Sequence, residues 1–142
     1  MRLLHNILPF FLVLIMMFTA CTDSNQQRKE QFITSGLLLY RKRCQNCHGA
    51  DGKGLGKLYP PLANSDYLLK NPEKAICGIK YGFVEKITVN GKLYEMAMPA
   101  NADLKDVEVA QLLTYIANSW GSQSNLVEVD SVKRILEQCQ KP

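Results

Sequence analysis

Histidine is nearly missing from these 142 residues: only His5 and His48 occur, beside a single tryptophan, Trp120. Neither sign of charge dominates, since the formal net charge is +4, and no basic run interleaved with aromatics is present. That argues against nucleic acid as a partner. No apolar run reaches the roughly 20 residues of a comfortable transmembrane span. The glycines between 49 and 56 are followed by no GK[ST] and preceded by no expected strand, so they do not make a phosphate-binding loop. No internal repeat or low-complexity tract is evident. The chain reads as one small domain with additions at both ends.

The first addition is a targeting segment. Arg2 supplies a positive start, residues 7–18 are almost wholly apolar, and Thr19-Ala20 lead into Cys21. This suits a signal peptide over residues 1–20. A cysteine directly after small residues resembles the lipobox of bacterial lipoproteins, in which that thiol is acylated and becomes the mature N-terminus. Phe18 stands where the lipobox usually has leucine, and an uncleaved anchor or a plain signal peptide is the alternative. The resemblance implies export to the periplasmic side of a bacterial membrane, held there by a lipid on Cys21. Loss of Arg2 lowers the charge to about +3 and leaves His48 as the only histidine. The polar run 22–31 is predicted to be a flexible tether. A core as small as the remainder benefits from a covalent staple or a bound cofactor.

Cys44-Gln45-Asn46-Cys47-His48 is the string that carries chemistry. Two thiols three positions apart can add across the two vinyl groups of one haem, and the adjacent imidazole can then ligate the iron. The spacing is that of a c-type haem attachment site. A zinc reading falls short, because two cysteines and one histidine leave a tetrahedral site one ligand short. A thioredoxin-like dithiol normally follows a strand and opens a helix, whereas this one follows a helical pattern and runs into glycines. With one histidine, bis-histidine ligation is excluded. Met96 and Met98 are the methionines left after the leader, and Met98 precedes Pro99, which fixes the backbone of a loop. Met98 is the candidate sixth ligand, with Met96 or an open iron as alternatives.

Apolar residues at 33, 37, 40 and 44 predict a first helix over 32–44, with Arg41, Lys42 and Arg43 near its end, where the helix dipole favours cations. Short helices are expected at 66–69 and 72–81, the second with Pro72 in its first turn. Asn90-Gly91 between β-branched and aromatic residues predicts a hairpin near 87–94. Residues 104–120 form the longest periodic segment, with Asp106 and Glu108 in its first turn and Gly121 at its end. A last helix is expected over 129–139, within an extension spanning 122–142.

Several of these features together resemble class I cytochromes c, over roughly residues 32–121. Gly36 and Tyr40 look like that family's N-terminal helix, and Leu112 and Tyr115 like the C-terminal helix that crosses it. Tyr59-Pro60-Pro61-Leu62 resembles the loop whose proline carbonyl accepts the Nδ1 proton of the proximal histidine. By that match Pro60 is the candidate and Pro61 the alternative. Met98-Pro99 takes the place of the family's second ligand. The resemblance implies an all-α fold of about four to five helices around one covalent haem c, with Cys44 and Cys47 as thioethers and His48 and Met98 on the iron. Lys105 departs from the pattern, since an N-capping Ser, Thr or Asp is expected there.

Cys77 and Cys139 remain once haem and lipid have claimed the other three cysteines. In an oxidising compartment they are a candidate disulfide, with two inert buried thiols as the alternative. Lys53, Lys57, Lys92 and the 41–43 run are candidates to steer an acidic partner, or plain surface charge. Tyr67, Tyr81, Tyr94 and Trp120 are candidates for the haem pocket or for ordinary core. The function these features imply is one-electron transfer between redox proteins, such as a quinol-oxidising complex and a terminal oxidase, without catalysis of its own. A fixed haem subunit of a respiratory oxidoreductase is the alternative. A peroxidase fits less well, because no second histidine or acid–base pair is available to cleave peroxide.

Overall fold

The computed structural model describes residues 23–139. The predicted signal peptide, residues 1–20, and Cys21 lie outside them. Six helices and one two-stranded antiparallel sheet are found among the described residues. Their order is α1 (Ser24–Arg43), α2 (Gln45–His48), α3 (Asp66–Lys70), α4 (Pro72–Tyr81), β1 (Ile87–Val89), β2 (Lys92–Tyr94), α5 (Asp106–Ala117) and α6 (Val129–Gln138). Helices α2 and α3 are single turns of four and five residues. The architecture is thus the small all-α fold with a minor hairpin that the sequence implies.

Residues 24–31 of the expected tether are helical, because α1 already begins at Ser24. Gln, Arg, Lys and Glu are good helix formers, and three local contacts order them. The Asp23 carboxylate accepts from the Asn25 N–H at 3.0 Å, Gln26 bonds Glu30 one turn on, and the Arg28 guanidinium lies 5.3 Å from the centre of the Phe32 ring. Arg28 also grips Glu128 with both terminal nitrogens, at 2.9 and 3.3 Å. That partner lies 100 residues away, so the sequence could not reveal it.

Within α1 the buried stripe is Phe32, Gly36, Tyr40 and Cys44. Tyr40 and Cys44 are buried as expected, but Phe32 and Gly36 take the place of Ile33 and Leu37, one residue or about 100° around the helix. Gly36 explains the shift. A Cβ there would lie 2.1 Å from the Gln111 carbonyl oxygen and 2.6 Å from the Tyr115 Cβ. The two helix backbones approach so closely that only glycine fits between them. Above that contact Tyr40 packs on Tyr115 and Trp120, with ring centres 5.3 and 5.5 Å apart. Such aromatic pairs contribute about 0.5–1.5 kcal/mol each beyond the area they bury.

Helix α5 supplies Val109, Ala110, Leu112 and Ile116 to the core. Lys105 cannot cap it through its side chain, and the Glu108 carboxylate accepts from the Lys105 N–H instead, at 2.7 Å. That is one half of a capping box. Thr114 is fully buried: its hydroxyl donates to the Ala110 carbonyl and accepts from the Val127 N–H. The second bond draws residues 122–139 across α5, and α6 buries Val132 and Leu136 in the same core. Cys77 of α4 and Cys139 are joined, with Cα atoms 5.7 Å apart.

Asn90 and Gly91 both take positive φ, +50° and +74°, the backbone of a type I′ turn. The register pairs Ile87 with Tyr94 and Val89 with Lys92. Asp66 and Asn90 exchange two hydrogen bonds: each side-chain oxygen accepts from the other's backbone N–H. This exchange ties the hairpin tip to the start of α3.

Candidate functional site

Helix α1 hands directly to the single turn of α2. The Cys44 N–H still bonds Tyr40, and the His48 N–H bonds the Cys44 carbonyl at 2.9 Å. Residues three apart on a helix share a face, so Cys44 and Cys47 face the same way with His48 beside them. Both thiols are free, Cys44 buried and Cys47 partly so. Burial first, then the neighbouring Cys47, push the Cys44 thiol up to about 11, with Arg43 opposing. Tyr40 is raised too, by burial and then by Cys44. It stays a phenol and donates to the Gly49 carbonyl at 2.6 Å.

His48 is 8% exposed, and its Nδ1 lies 2.9 Å from the carbonyl oxygen of Pro60. A carbonyl only accepts, so Nδ1 holds the proton and Nε2 keeps a lone pair. Burial holds the imidazole below its usual pKa, and the Pro60 contact opposes that in part. The neutral form is the one that ligates iron, and a hydrogen bond at the far nitrogen fixes the ring and its basicity. Of the two candidate carbonyls, Pro60 makes this contact rather than Pro61. Gly54, at φ +69°, makes it possible: a Cβ there would lie 2.2 Å from the Tyr59 oxygen and 2.6 Å from the Pro60 oxygen. The Gly54 N–H bonds the His48 carbonyl, and Gly52 accepts from Leu62 and Ala63. The glycine segment therefore folds the proline loop back over the histidine.

Cys44, Cys47, His48 and Pro60 line one cleft with Met98, and its walls are mostly apolar. It is concave and lined mainly by hydrocarbon, with a few polar groups converging on it, the character of a small-molecule or cofactor site. Tyr67 and Tyr94 line it, as do Tyr59 and Phe83; Tyr81 and Trp120 do not. Met96 also lines it but is 52% exposed, whereas Met98 is half-buried. The Met98 backbone is fixed by a two-way pairing with Phe83, at 2.9 and 3.0 Å. Nothing in the sequence pointed to Phe83, because this pairing is an isolated bridge between two irregular segments. Glu85 is the one charged residue in the lining. Arg43 pairs with Asp103, and Lys53 with Asp51. None of the cations considered for steering lines the cleft itself.

These residues fit a covalent haem. Two unpaired thiols sit one turn apart, an oriented neutral imidazole adjoins them, and an apolar cleft has a thioether in its wall. The family model described as Cytochrome c matches residues 33–120.

The chain belongs to the cytochrome c family.

Among its relatives, cytochrome c-552 of Thermus thermophilus is 37% identical over 90 residues, covering 61% of this chain and 68% of that protein. The fructose dehydrogenase cytochrome subunit of Gluconobacter japonicus is 31% identical over 124 residues, 80% of this chain but 25% of that subunit. The cytochrome c subunit of the quinone alcohol dehydrogenase of Gluconacetobacter polyoxogenes is 31% identical over 91 residues, 63% of this chain and 19% of that subunit. The chain thus spans a quarter or less of these dehydrogenase subunits. As a cytochrome c it carries covalently bound haem c with iron, and it is an electron-transfer protein rather than an enzyme. Among the described residues no helix is long and apolar enough to cross a membrane.

Proposed function

We propose that this cytochrome c is a single-haem, one-electron carrier in which Cys44 and Cys47 hold the haem while His48 and Met98 ligate its iron. The observation that carries the reading is the His48–Pro60 contact. It leaves Nε2 free in a cleft shared with two unpaired thiols and one backbone-anchored thioether. Held by these residues, the haem would supply a metal centre able to gain or lose one electron. The residues around it do the rest. Pro60 keeps the imidazole in one tautomer, and the Phe83 pairing holds the Met98 backbone. Ile79, Leu113 and Ile116 line the cleft with hydrocarbon, which excludes water. A thioether ligand and a dry surround both raise the reduction potential. A reductive titration of the matured protein should follow a one-electron curve; a two-electron curve, or no reducible chromophore, contradicts the reading.

Cys21 is the proposed lipid attachment site, on the periplasmic side of a bacterial membrane. Cys21→Ser should release the protein from membranes, and retention would argue for an uncleaved anchor. The partners are redox proteins, such as a quinol-oxidising complex and a terminal oxidase. The second reading is a fixed subunit of an oxidoreductase. The relatives that are cytochrome subunits of dehydrogenases support it. Purification in mild detergent decides: co-purifying redox subunits support the fixed assembly, and a lone cytochrome supports the shuttle.

A further inference from the structure

The extension beyond residue 121 lies outside the matched family region, yet a covalent bond joins it to α4, the helix that supplies Ala75 and Ile79 to the haem cleft. Cys77 and Cys139, both partly exposed, line an open groove with Tyr67, Tyr81, Phe83 and Ile135. Phe83 lines this groove and the haem cleft alike. Next to Cys77 in sequence, Gly78 packs against Phe83 so tightly that a Cβ there would lie 1.9 Å from the ring. Phe83 in turn holds the Met98 backbone at both its N–H and its carbonyl. Two further ties run from α4 to the segment after Met98: the Asn101 side chain donates to the Ile79 carbonyl, and Lys80 bonds the Leu104 carbonyl. A continuous path of contacts therefore leads from Cys139 through Cys77, Gly78 and Phe83 to Met98.

We propose that Cys77 and Cys139 form a thiol-exchange site whose disulfide positions Met98, so that a dithiol entering the groove loosens Met98 while leaving His48, Cys44 and Cys47 in place. The proposal rests on Met98 being the iron ligand. In the exchange, one thiolate of the dithiol attacks a sulfur of the pair, the Cys77–Cys139 bond breaks, and a mixed disulfide forms. The donor's second thiol then closes its own disulfide. Two electrons and two protons finish on Cys77 and Cys139, and the dithiol is oxidised. Helix α6 keeps Val132 and Leu136 buried but loses its covalent hold on α4. The Gly78–Phe83 contact is then free to shift, and Met98 shifts with it. Cys77 and Cys139 are positioning residues, since neither lines the haem cleft.

The test uses the folded holoprotein with dithiothreitol as the probe. Released thiols are trapped with iodoacetamide and counted by mass, and the iron is reoxidised. The readout is the rate at which imidazole binds ferric iron, which requires Met98 to leave. Two thiols should be trapped under native conditions, and imidazole should bind about tenfold faster, a fraction of what a bond closing so long a loop supplies. Cys77→Ser/Cys139→Ser should match the alkylated protein. Gly78→Ala keeps the disulfide but displaces the Phe83 ring, and should also accelerate binding. No thiols trapped, or an unchanged imidazole rate in the alkylated protein, overturns the proposal. Met98→Ala separates the two levels. If it leaves the ferric spectrum unchanged, the ligand reading has failed. If it alters the spectrum while disulfide reduction changes nothing, only the exchange site has failed.

Discussion

Replacing Gly36 by alanine sets helix propensity against packing, and the structure says which prevails. Inside a helix, alanine is about 1 kcal/mol better than glycine. Here the new Cβ would lie 2.1 Å from the Gln111 carbonyl oxygen and 2.6 Å from the Tyr115 Cβ. Ordinary contact needs about 3.5 Å, so α1 and α5 must part by roughly 1 Å or more. The obstructing atoms belong to the opposite helix's backbone and to a Cβ, and neither can swing aside. Overpacking of this kind costs about 1–3 kcal/mol. Parting the helices also opens the Tyr40–Tyr115 and Tyr40–Trp120 contacts, at about 0.5–1.5 kcal/mol each. After the propensity gain, a net loss of about 3 kcal/mol remains, equivalent to about 12 °C in Tm for a domain of this size. Thermal melting of the ferric holoprotein, followed by far-UV circular dichroism, measures it. A Tm at or above wild type would mean that the crossing is looser than this packing allows.

Tyr40→Phe removes the donor to the Gly49 carbonyl while keeping the ring, and should cost about 1 kcal/mol in chemical denaturation; no change would mean that water replaces the phenol without loss. Asp66 has a depressed pKa, chiefly because its carboxylate accepts from the Asn90 N–H and then because of Lys70. A depressed folded-state pKa gives stability that is present above the unfolded value, about 3.9, and is lost as pH falls through the folded value. Wild type and Asp66→Asn should therefore differ in Tm near neutrality and converge in acid, whereas parallel curves would show that the carboxylate charge is irrelevant to the hairpin anchor.

The parts of this fold legible in the sequence were those set by local chemistry. Asn90-Gly91 demands positive φ at both positions, and Pro72 opens a helix because its missing N–H is not needed there. Asp106 and Glu108 complement the dipole of α5. The CxxCH spacing speaks for itself, because five consecutive residues, a cap and one helical turn, hold the two thiols and the imidazole together. Other features depend on residues far apart in the chain. The first helix starts eight residues earlier than expected, although Gln-Gln-Arg-Lys-Glu-Gln favours helix; its polarity suggested solvent, and the stabilising Glu128 is a hundred positions on. The first half of the buried stripe of α1 was misplaced by one residue because one of its members is a glycine, invisible to a hydrophobic pattern. Thr114 is polar but fully buried, with both its hydroxyl bonds satisfied. Phe83 was missed because its role is performed by its backbone.

The most direct test of the His48/Met98 assignment is the ferric absorption spectrum of the protein matured in a host with haem-attachment machinery, recorded for wild type, Met96→Ala and Met98→Ala. The account predicts a thioether-to-iron charge-transfer band in wild type that survives Met96→Ala. In Met98→Ala that band should vanish while the haem stays attached through denaturation and the reduction potential falls. A wild-type spectrum lacking the band, or a band that persists in Met98→Ala, would contradict it.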